Sequence, residues 1–300
     1  MVSKEYMLSC SEYREAVERQ LEKSLPVCRQ PYRIVVDAMR YCTLGAGKRM
    51  RAMLCLEFCR QSCGDYERAL PFAAALEMMH AYSLIHDDLP CMDDDALRRG
   101  KPSCHIRFGE ANALLAGDAL LTASFTAALS GGSHPQVGSE RALQAAMTLA
   151  GRAGVDGMIG GQVMDLAAEK HPELDDQTLH LLYSLKTGAL IRAACEIGAI
   201  VGGAGQDVIR LGGEFAAHLG LAFQIVDDIL DVTADEQTLG KPVGSDEASG
   251  KTTYAIRFGI ERARLMAQDS IRRARAVLAQ LPGDGRFLEE ICNMVLERDH

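Results

Sequence analysis

The sequence contains no tryptophan, and aromatic residues make up only 5% of its 300 positions. It also lacks long runs in which β-branched or aromatic residues alternate with polar ones, the pattern expected of β-strands. Hydrophobic residues account for 48% of the chain, and many of them are alanine and leucine, which favour helices. These features argue against a sheet protein and predict an all-α fold with a large core.

The chain also lacks a positive net charge and a long apolar run. Its formal net charge is −9, which argues against nucleic acid or an anionic membrane as the main partner. No stretch reaches the roughly 18 consecutive apolar residues of a membrane span, and the polar N-terminal segment lacks the apolar region of a signal peptide. We therefore expect a soluble, cytoplasmic protein with no stable membrane insertion.

None of the ten cysteines forms a CxxC pair. Cys55, Cys59 and Cys63 fall on one helical stripe, but no fourth ligand is spaced to complete a thiolate metal site. We interpret these thiols as small buried hydrophobic side chains in a reducing compartment.

Helical periodicity runs along almost the whole chain and is interrupted by clusters of glycine and proline. There is no internal repeat, low-complexity segment or long linker. We predict a single domain over residues 1–300, a large helical bundle whose core can host a site built from facing helices. The predicted helices are 3–24, 32–43, 48–62, 67–89, 110–130, 138–169 with a break near Gly154, 174–201, 206–233, 251–280 and 286–298.

Two clusters of aspartate lie about 140 residues apart, each after an apolar helical segment. The first comprises Asp87, Asp88 and Asp93, and the second comprises Asp227, Asp228 and Asp231. Grouped carboxylates repel one another and are costly to desolvate, and their hard oxygen atoms suit Mg²⁺. The pattern predicts that the two clusters face each other and bind one diphosphate between them through bridging Mg²⁺.

Cationic residues that could complete a diphosphate site lie close to both clusters in sequence. Arg98 and Arg99 follow the first cluster, and residues 45–51 (GAGKRMR) form a glycine-rich loop that opens a helix, a favourable place for an anion. Lys186 lies in the middle of an apolar helical segment. The glycine-rich segment 240–251, after the second cluster, is predicted to close over the site.

Two other motifs suggest different chemistry but are incomplete. Glu77 and His80 have the ExxH spacing of carboxylate-bridged di-iron bundles, yet a second ExxH is missing. Residues 250–252 resemble the end of a P-loop, but the upstream glycine is displaced and no strand precedes it.

The chain resembles the short-chain trans-isoprenyl diphosphate synthases, most closely their bacterial farnesyl diphosphate synthase branch. The resemblance is collinear and covers nearly the whole sequence. It rests on the segments GAGKRMR, EMMHAYSLIHDDLPCMDDDALRRGKPSCHIRFGE, LLAGDALL, GGQVMDL, LYSLKTGALI, AFQIVDDILDV, LGKPVGSD and GKTTY. It implies an all-α fold around a deep central cavity, usually assembled as a homodimer.

The resemblance also implies roles for individual residues. The two aspartate clusters would hold Mg²⁺, three ions with the bound diphosphate, with Asp227 as a direct ligand. The contacts to the allylic diphosphate match Arg98, Lys186 and Lys241. The pocket for isopentenyl diphosphate matches Lys48, Arg51, His80 and Arg99. The polar groups beside the developing carbocation match Thr187 and Gln224.

The chain departs from the family pattern at two positions. Ala52 stands where the family usually has proline, and Ala96 replaces a frequent acidic residue. Neither position is a usual ligand, so we expect activity to survive both changes.

The function implied is the Mg²⁺-dependent, head-to-tail condensation of isopentenyl diphosphate with dimethylallyl or geranyl diphosphate to give farnesyl diphosphate. Product length is expected to depend on Tyr82 and Ser83, about one helical turn before Asp87. A bulky Tyr82 would stop growth at the farnesyl length. A geranylgeranyl diphosphate synthase is the alternative within the family, and a class I terpene cyclase or a non-catalytic prenyltransferase subunit are alternatives outside this reaction.

Overall fold

The computed structural model describes residues 3–45, 47–170, 174–233 and 252–298. The first helices in chain order are α1 (Lys4–Ser24), α2 (Arg33–Thr43), α3 (Met50–Cys63) and α4 (Leu70–Asp87). A two-stranded hairpin follows, β1 (Leu97–Arg98) and β2 (Lys101–Pro102). The next helices are α5 (Cys104–Phe108), α6 (Glu110–Ser130), α7 (Gly138–Ala153) and α8 (Met158–Lys170).

The second half begins with α9 (Asp176–Tyr183) and continues through a π-helical turn (Ser184–Gly188) into α10 (Ala189–Gly202). The remaining helices are α11 (Gln206–Thr233), α12 (Tyr254–Phe258), α13 (Ile260–Leu278) and α14 (Arg286–Leu296). Short 3₁₀ turns at Glu67–Ala69 and Gly131–Ser133 precede α4 and follow α6, respectively.

Helix α10 lies at the centre of the bundle. Every one of its residues except Arg192 is buried, because it packs against α3, α7 and α11. Around this centre, α4 packs against α6 and α11 packs against α13. A helix that is apolar on all sides is stable only when neighbours cover it completely, so the composition of α10 accounts for its position.

Helices α4 and α11 carry the two aspartate clusters out of this core. Residues 72–79 of α4 are all buried, and the helix ends at Asp87. In α11 the aspartate cluster comes in the last turns, after a long stretch in which most side chains are buried. The second cluster therefore lies on a helix, whereas the first begins at the end of α4 and continues into the following turn.

The structure confirms the predicted all-α class. Helices 110–130 and 206–233 have the predicted bounds, and the predicted break near Gly154 separates α7 from α8. The short helix α5 was not predicted, and the segment 251–280 is split at Gly259, whose φ of 77° a continuing helix does not allow. The short hairpin was missed because strands of two residues carry no periodic signal.

Helix α6 is more apolar than the sequence analysis allowed for. With its following turn, over Glu110–Ser133, it is long and apolar enough to cross a membrane by length and composition alone. In its most apolar window 39% of the residues are buried. Core helices of soluble proteins meet the same criteria, so a single helix of this kind is weak evidence for a membrane span.

Gly198 lies where α10 crosses α3. A Cβ atom added at Gly198 would lie 2.3 Å from the carbonyl oxygen of Cys55 and 2.9 Å from the Cβ of Phe58. The two helix backbones are therefore in direct contact, and any side chain at this position would force them apart.

We predict that Gly198→Ala lowers the free energy of unfolding by about 1–3 kcal/mol, the usual cost of overpacking a core. Gly151 is the matched control, since it is an exposed position in α7 with no atom within 4 Å of an added Cβ. Gly151→Ala should instead stabilise the protein by about 0.5 kcal/mol because alanine is the better helix former. Urea unfolding measures both, and equal effects of the two substitutions would contradict the packing described.

Candidate active site

The first aspartate cluster surrounds the end of α4. The backbone N–H of Asp93 donates to the carbonyl oxygen of Asp87 over 2.9 Å, so the chain turns back on itself after the helix. The side-chain amide of Gln162, on α8, donates to the carboxylate of Asp87. Helix α8 therefore holds Asp87 from the opposite side of the site.

Asp88, the residue after Asp87, binds an arginine. Its side chain is almost fully buried and accepts two hydrogen bonds from the guanidinium of Arg98, one of them 2.9 Å from Nε. The same guanidinium lies 3.0 Å from the carboxylate of Asp95. The two carboxylates thus fix Arg98, which the family resemblance assigns to the allylic diphosphate.

In the second aspartate cluster, too, one carboxylate binds groups of the protein and its neighbour lies at the site. Asp228 is 2% exposed, and its Oδ2 accepts hydrogen bonds from the hydroxyl of Tyr183 at 2.6 Å and the backbone N–H of Tyr254 at 2.9 Å. Asp227, one residue earlier, lies at the site, where Nη1 of Arg298 approaches its Oδ1 to 2.8 Å. The Arg298 guanidinium also stacks over the ring of Phe223 at 4.2 Å.

The structure brings both clusters to one cleft with a volume of about 400 Å³. Predicted site residues in its walls are Asp87, Asp93, Arg98, Lys186, Thr187, Gln224, Asp227, Asp228 and Asp231. A larger groove of about 940 Å³ runs beside α1 and α14, but none of the predicted site residues lines it. The cleft is therefore the place where chemistry by the aspartates can occur.

The acidic wall of this cleft is electrostatically costly without a counter-charge. Burial raises the pKa of Asp87 to about 6 and also raises the pKa of Asp88. Carboxylate oxygens of Asp93, Asp165 and Glu169 lie within 4.8 Å of one another. Hard oxygen donors this close together suit a divalent cation such as Mg²⁺, which would reduce the repulsion between the carboxylates.

The π-helical turn presents two of the predicted catalytic residues. Nζ of Lys186 forms an ion pair with Asp165 at 2.6 Å, and the hydroxyl of Thr187 donates to the side-chain oxygen of Gln224 at 2.7 Å. The amide of Gln224 in turn lies 3.3 Å from Oδ1 of Asp228. Because the Thr187 hydroxyl donates its only proton inside this chain of hydrogen bonds, its oxygen can act towards a ligand only as an acceptor.

The predicted isopentenyl diphosphate residues form a positively charged group. Burial lowers the pKa of Lys48, Arg51 and Arg99, and a neighbouring cation lowers each one further. Burial and four surrounding arginines lower the pKa of His80 well below its usual range, so its imidazole is neutral. Nε of Arg51 is buried without a hydrogen-bond partner among the described residues. An anion would satisfy it.

A glycine in the basic loop permits the close approach of one of these cations. Gly47 has a φ of 89°, and a Cβ there would lie 2.6 Å from Nη1 of Arg99. The guanidinium of Arg99 therefore lies directly against the loop backbone. This contact joins the loop before α3 to the hairpin that follows the first aspartate cluster.

The two predicted product-length residues lie within α4. Tyr82 is 6% exposed, and its ring meets that of His86 edge-on at 5.5 Å. The hydroxyl of Ser83 donates to the carbonyl oxygen of His80 at 2.9 Å. The Tyr82 ring is thus buried in the core, whereas the Ser83 hydroxyl is hydrogen-bonded to the backbone of α4.

Some site residues were missed from the sequence, and one lies outside the described residues. Gln162 and Asp165 belong to the quoted segment GGQVMDL, whose spacing places them on one helical face, so a signal was present. Arg298 gave no signal, because only the folded chain brings the C-terminal residues to Asp227. Lys241 and the segment 240–251 lie outside the described residues.

Comparison with known proteins identifies the relatives of this chain. A sequence model of the family described as polyprenyl synthetase matches residues 32–283. Farnesyl diphosphate synthase of Escherichia coli (strain K12) is 46% identical over 270 residues, which cover 88% of this chain and 89% of that protein. The chloroplastic heterodimeric geranylgeranyl pyrophosphate synthase large subunit 1 of Arabidopsis thaliana is 44% identical, with coverage of 90% and 73%.

The fold agrees with this assignment. The crystal structure of an FPP/GFPP synthase from Zymomonas mobilis, without ligand, superposes with a TM-score of 0.86 at 37% sequence identity. The superposition covers 97% of this chain and 99% of that one. The geranylgeranyl pyrophosphate synthetase of Pyrococcus horikoshii gives the same TM-score at 29% identity, with 98% of each chain covered.

We predict that Asp87→Asn stabilises the metal-free protein at pH 7. A carboxyl whose pKa is raised to about 6 on folding costs stability at higher pH, where it is ionised, and the cost disappears as it binds a proton. The melting temperature of the variant should therefore exceed that of the wild type by a few degrees at pH 7. The difference should shrink as the pH falls from 6 towards 4.

Addition of Mg²⁺ with inorganic pyrophosphate provides the control for this prediction. It should raise the melting temperature of the wild type more than that of Asp87→Asn, because the variant lacks one anionic oxygen ligand. If Asp87→Asn were less stable than the wild type at pH 7, burial of the Asp87 charge would not be the dominant effect of this residue on folding stability.

Proposed function

The chain belongs to the polyprenyl synthetase family, and from this premise we propose that it condenses isopentenyl diphosphate with dimethylallyl and then geranyl diphosphate to give farnesyl diphosphate. The observation that supports the proposal is the shared cleft, where two acidic clusters meet. A separate cationic group, which includes Arg51 and Arg99, offers a place for a second diphosphate. A condensing enzyme needs two such places, one for each substrate.

The second cationic group also weighs against the other classes considered. A class I terpene cyclase acts on one diphosphate and has no use for a second basic pocket. A non-catalytic subunit would be expected to have lost metal-binding aspartates, whereas this chain has all six. We therefore propose catalysis by this chain itself.

We propose that Asp87, Asp93, Asp227 and Asp231 hold Mg²⁺, with three ions around the bound diphosphate. When bound, the ions would neutralise charge on the leaving group. Asp88 and Asp228 were predicted as further direct ligands, and that role stays a prediction. Their present contacts, with Arg98 and with Tyr183 and Tyr254, favour an indirect part in which each anchors the site from behind.

The cations divide into two sets by position. Arg98 and Lys186 line the acidic cleft and would bind the allylic diphosphate, together with Lys241. The set proposed for isopentenyl diphosphate comprises Lys48, Arg51, His80 and Arg99. Neutral His80 would donate a hydrogen bond without adding a further positive charge.

The proposed reaction begins with cleavage of the C–O bond of the allylic diphosphate, and the diphosphate leaves with the bonding electrons. The oxygens of Thr187 and Gln224, which are joined by a hydrogen bond in the cleft wall, would stabilise the resulting allylic cation. The double bond of isopentenyl diphosphate attacks this cation and forms the new C–C bond. The condensed cation then loses a proton to the departed diphosphate, so no dedicated side-chain base is required.

Turnover by the purified chain tests this proposal. With isopentenyl and dimethylallyl diphosphates and Mg²⁺, it should release prenyl diphosphates without a partner protein. Asp87→Ala and Asp227→Ala should each lower turnover by several orders of magnitude, because each removes a charged oxygen aimed at the metal. Circular dichroism checks that both variants fold. Undiminished turnover in either one would refute the assigned role.

Product length would be limited by Tyr82, since its ring is buried on the helix that leads back from Asp87 into the core. The alternative product is geranylgeranyl diphosphate, because relatives that make it are nearly as similar as those that make farnesyl diphosphate. We propose Ser83 as a secondary determinant of product length, because its side chain is smaller and its hydroxyl is hydrogen-bonded to the backbone of α4.

We predict that Tyr82→Ala lengthens the products. Removal of the ring opens space beyond the end of the growing chain, so geranylgeranyl or longer diphosphates should appear in place of farnesyl diphosphate. Mass analysis of the dephosphorylated products measures this distribution, with Tyr82→Phe as the control that keeps the ring. An unaltered profile in Tyr82→Ala would remove Tyr82 from the role.

We further propose that the chain is a cytoplasmic homodimer. The successive helices α6, α7 and α8 carry large hydrophobic side chains that are 40–66% exposed, namely Leu114, Leu115, Leu129, Leu143, Met147, Ile159 and Val163. So much exposed apolar surface favours association. A second copy would cover the part of α6 that this bundle leaves in contact with water.

A further inference from the structure

We propose that Glu77 is a positioning residue for isopentenyl diphosphate and acts through Arg49, which it holds in the core beneath the basic loop. The proposal rests on the function proposed above, since it concerns the loop that carries Lys48 and Arg51. Neither Glu77 nor Arg49 was given a role from the sequence. In the sequence, Glu77 belongs only to an incomplete di-iron motif.

Arg49 has the geometry of a buried anchor. It precedes α3 with a φ of 53°, in the left-handed region that costs an ordinary residue about 1–2 kcal/mol. Its side chain is only 3% exposed. Nη1 lies 3.0 Å from Oε2 of Glu77, and Nε lies 2.8 Å from Oε1 of Glu18. Nη2 donates to the carbonyl oxygen of Thr43 at 2.5 Å.

The two carboxylates bind the backbone of the loop as well as the guanidinium. The other oxygen of Glu77 accepts the N–H of Ala52 at 3.2 Å, in the first turn of α3. The other oxygen of Glu18 accepts the N–H of Gly45 at 3.2 Å. Glu77 and Glu18, from α4 and α1, therefore clamp the loop at both ends and at its central arginine.

These contacts hold the Arg49 guanidinium in the core. Since Arg49 is fixed inward, an anion at this loop would be bound by other cations, and Nε of Arg51 has no partner among the described residues. Burial lowers the pKa of Arg51, whereas the charge of Glu77 acts in the opposite direction. Glu77 thus both places Arg51 and offsets part of the cost of its charge.

The same contacts explain why the di-iron interpretation of Glu77 fails. Both of its carboxylate oxygens accept hydrogen bonds, one from Arg49 and one from Ala52. Its side chain is 5% exposed. A carboxylate committed to a buried arginine in this way serves a structural purpose at the substrate loop.

The decisive experiment compares Glu77→Gln with a matched substitution in the same core. Glu57, on α3, is equally buried, and it accepts the hydroxyl of Tyr13 at 2.8 Å and pairs with Arg60 at 2.7 Å. It does not contact residues 45–52 through any hydrogen bond of the described chain. Glu57→Gln therefore removes a buried charged partner without touching the basic loop.

We expect Glu77→Gln to raise the KM for isopentenyl diphosphate at least about tenfold, with kcat and the KM for geranyl diphosphate changed by less than about threefold. Calorimetric titration of isopentenyl diphosphate into the enzyme should show a matching loss of affinity. Glu57→Gln should lower the melting temperature to a similar extent and leave all three kinetic constants near their wild-type values.

A second variant covers the case in which Glu77→Gln does not fold. Arg49→Lys keeps the positive charge, but an ammonium group lacks the fork that reaches two carboxylates and a carbonyl together. It should reproduce the selective rise in KM. If Glu77→Gln and Arg49→Lys change all constants in parallel, as a general loss of stability would, the positioning role is excluded. A wild-type chain that forms no prenyl diphosphate would instead overturn the proposed function.

Discussion

The site depends on the cost of holding like charges together in a partly dehydrated cleft. Burial raises the pKa of Asp87 and Asp88, and in the separate cationic group it lowers the pKa of Arg51 and Arg99. A divalent cation and a diphosphate, the ligands proposed for the acids and for the bases, would each lower this cost by adding charge of the opposite sign.

Helical geometry explains why each aspartate pair is divided between two tasks. Adjacent residues on a helix point about 100° apart, so Asp227 and Asp228 meet different neighbours although both line the cleft. Asp88 and Asp228 are each 2% exposed and bind groups of the protein. The inner carboxylates fix the residues around the site, and the other aspartate of each pair is the one proposed to bind metal. A doubled aspartate could thus supply a metal ligand and its support within two residues.

The sequence was sufficient for features that depend on local pattern. Helix α11 and its clustered aspartates follow from apolar periodicity and spacing, and so does the all-α class. It was insufficient where the outcome depends on contacts between distant segments. The approach of Arg298 to Asp227 and the hydrogen bond from Gln162 to Asp87 join distant parts of the chain, and the π-helical turn at Ser184–Gly188 packs against α8. Family resemblance supplied the roles of Lys48 and His80, whose spacing alone is ordinary.

The position of Ala52 shows how a departure from the family pattern can be accommodated. A first-turn N–H has no acceptor within its own helix, so a proline at this position would leave no helical bond unmade. With alanine, the N–H is present and must be satisfied, because the residue is fully buried. Glu77 provides the acceptor from an oxygen that its contact with Arg49 leaves available. The substitution therefore adds a hydrogen bond to an existing carboxylate, and the basic loop stays in place.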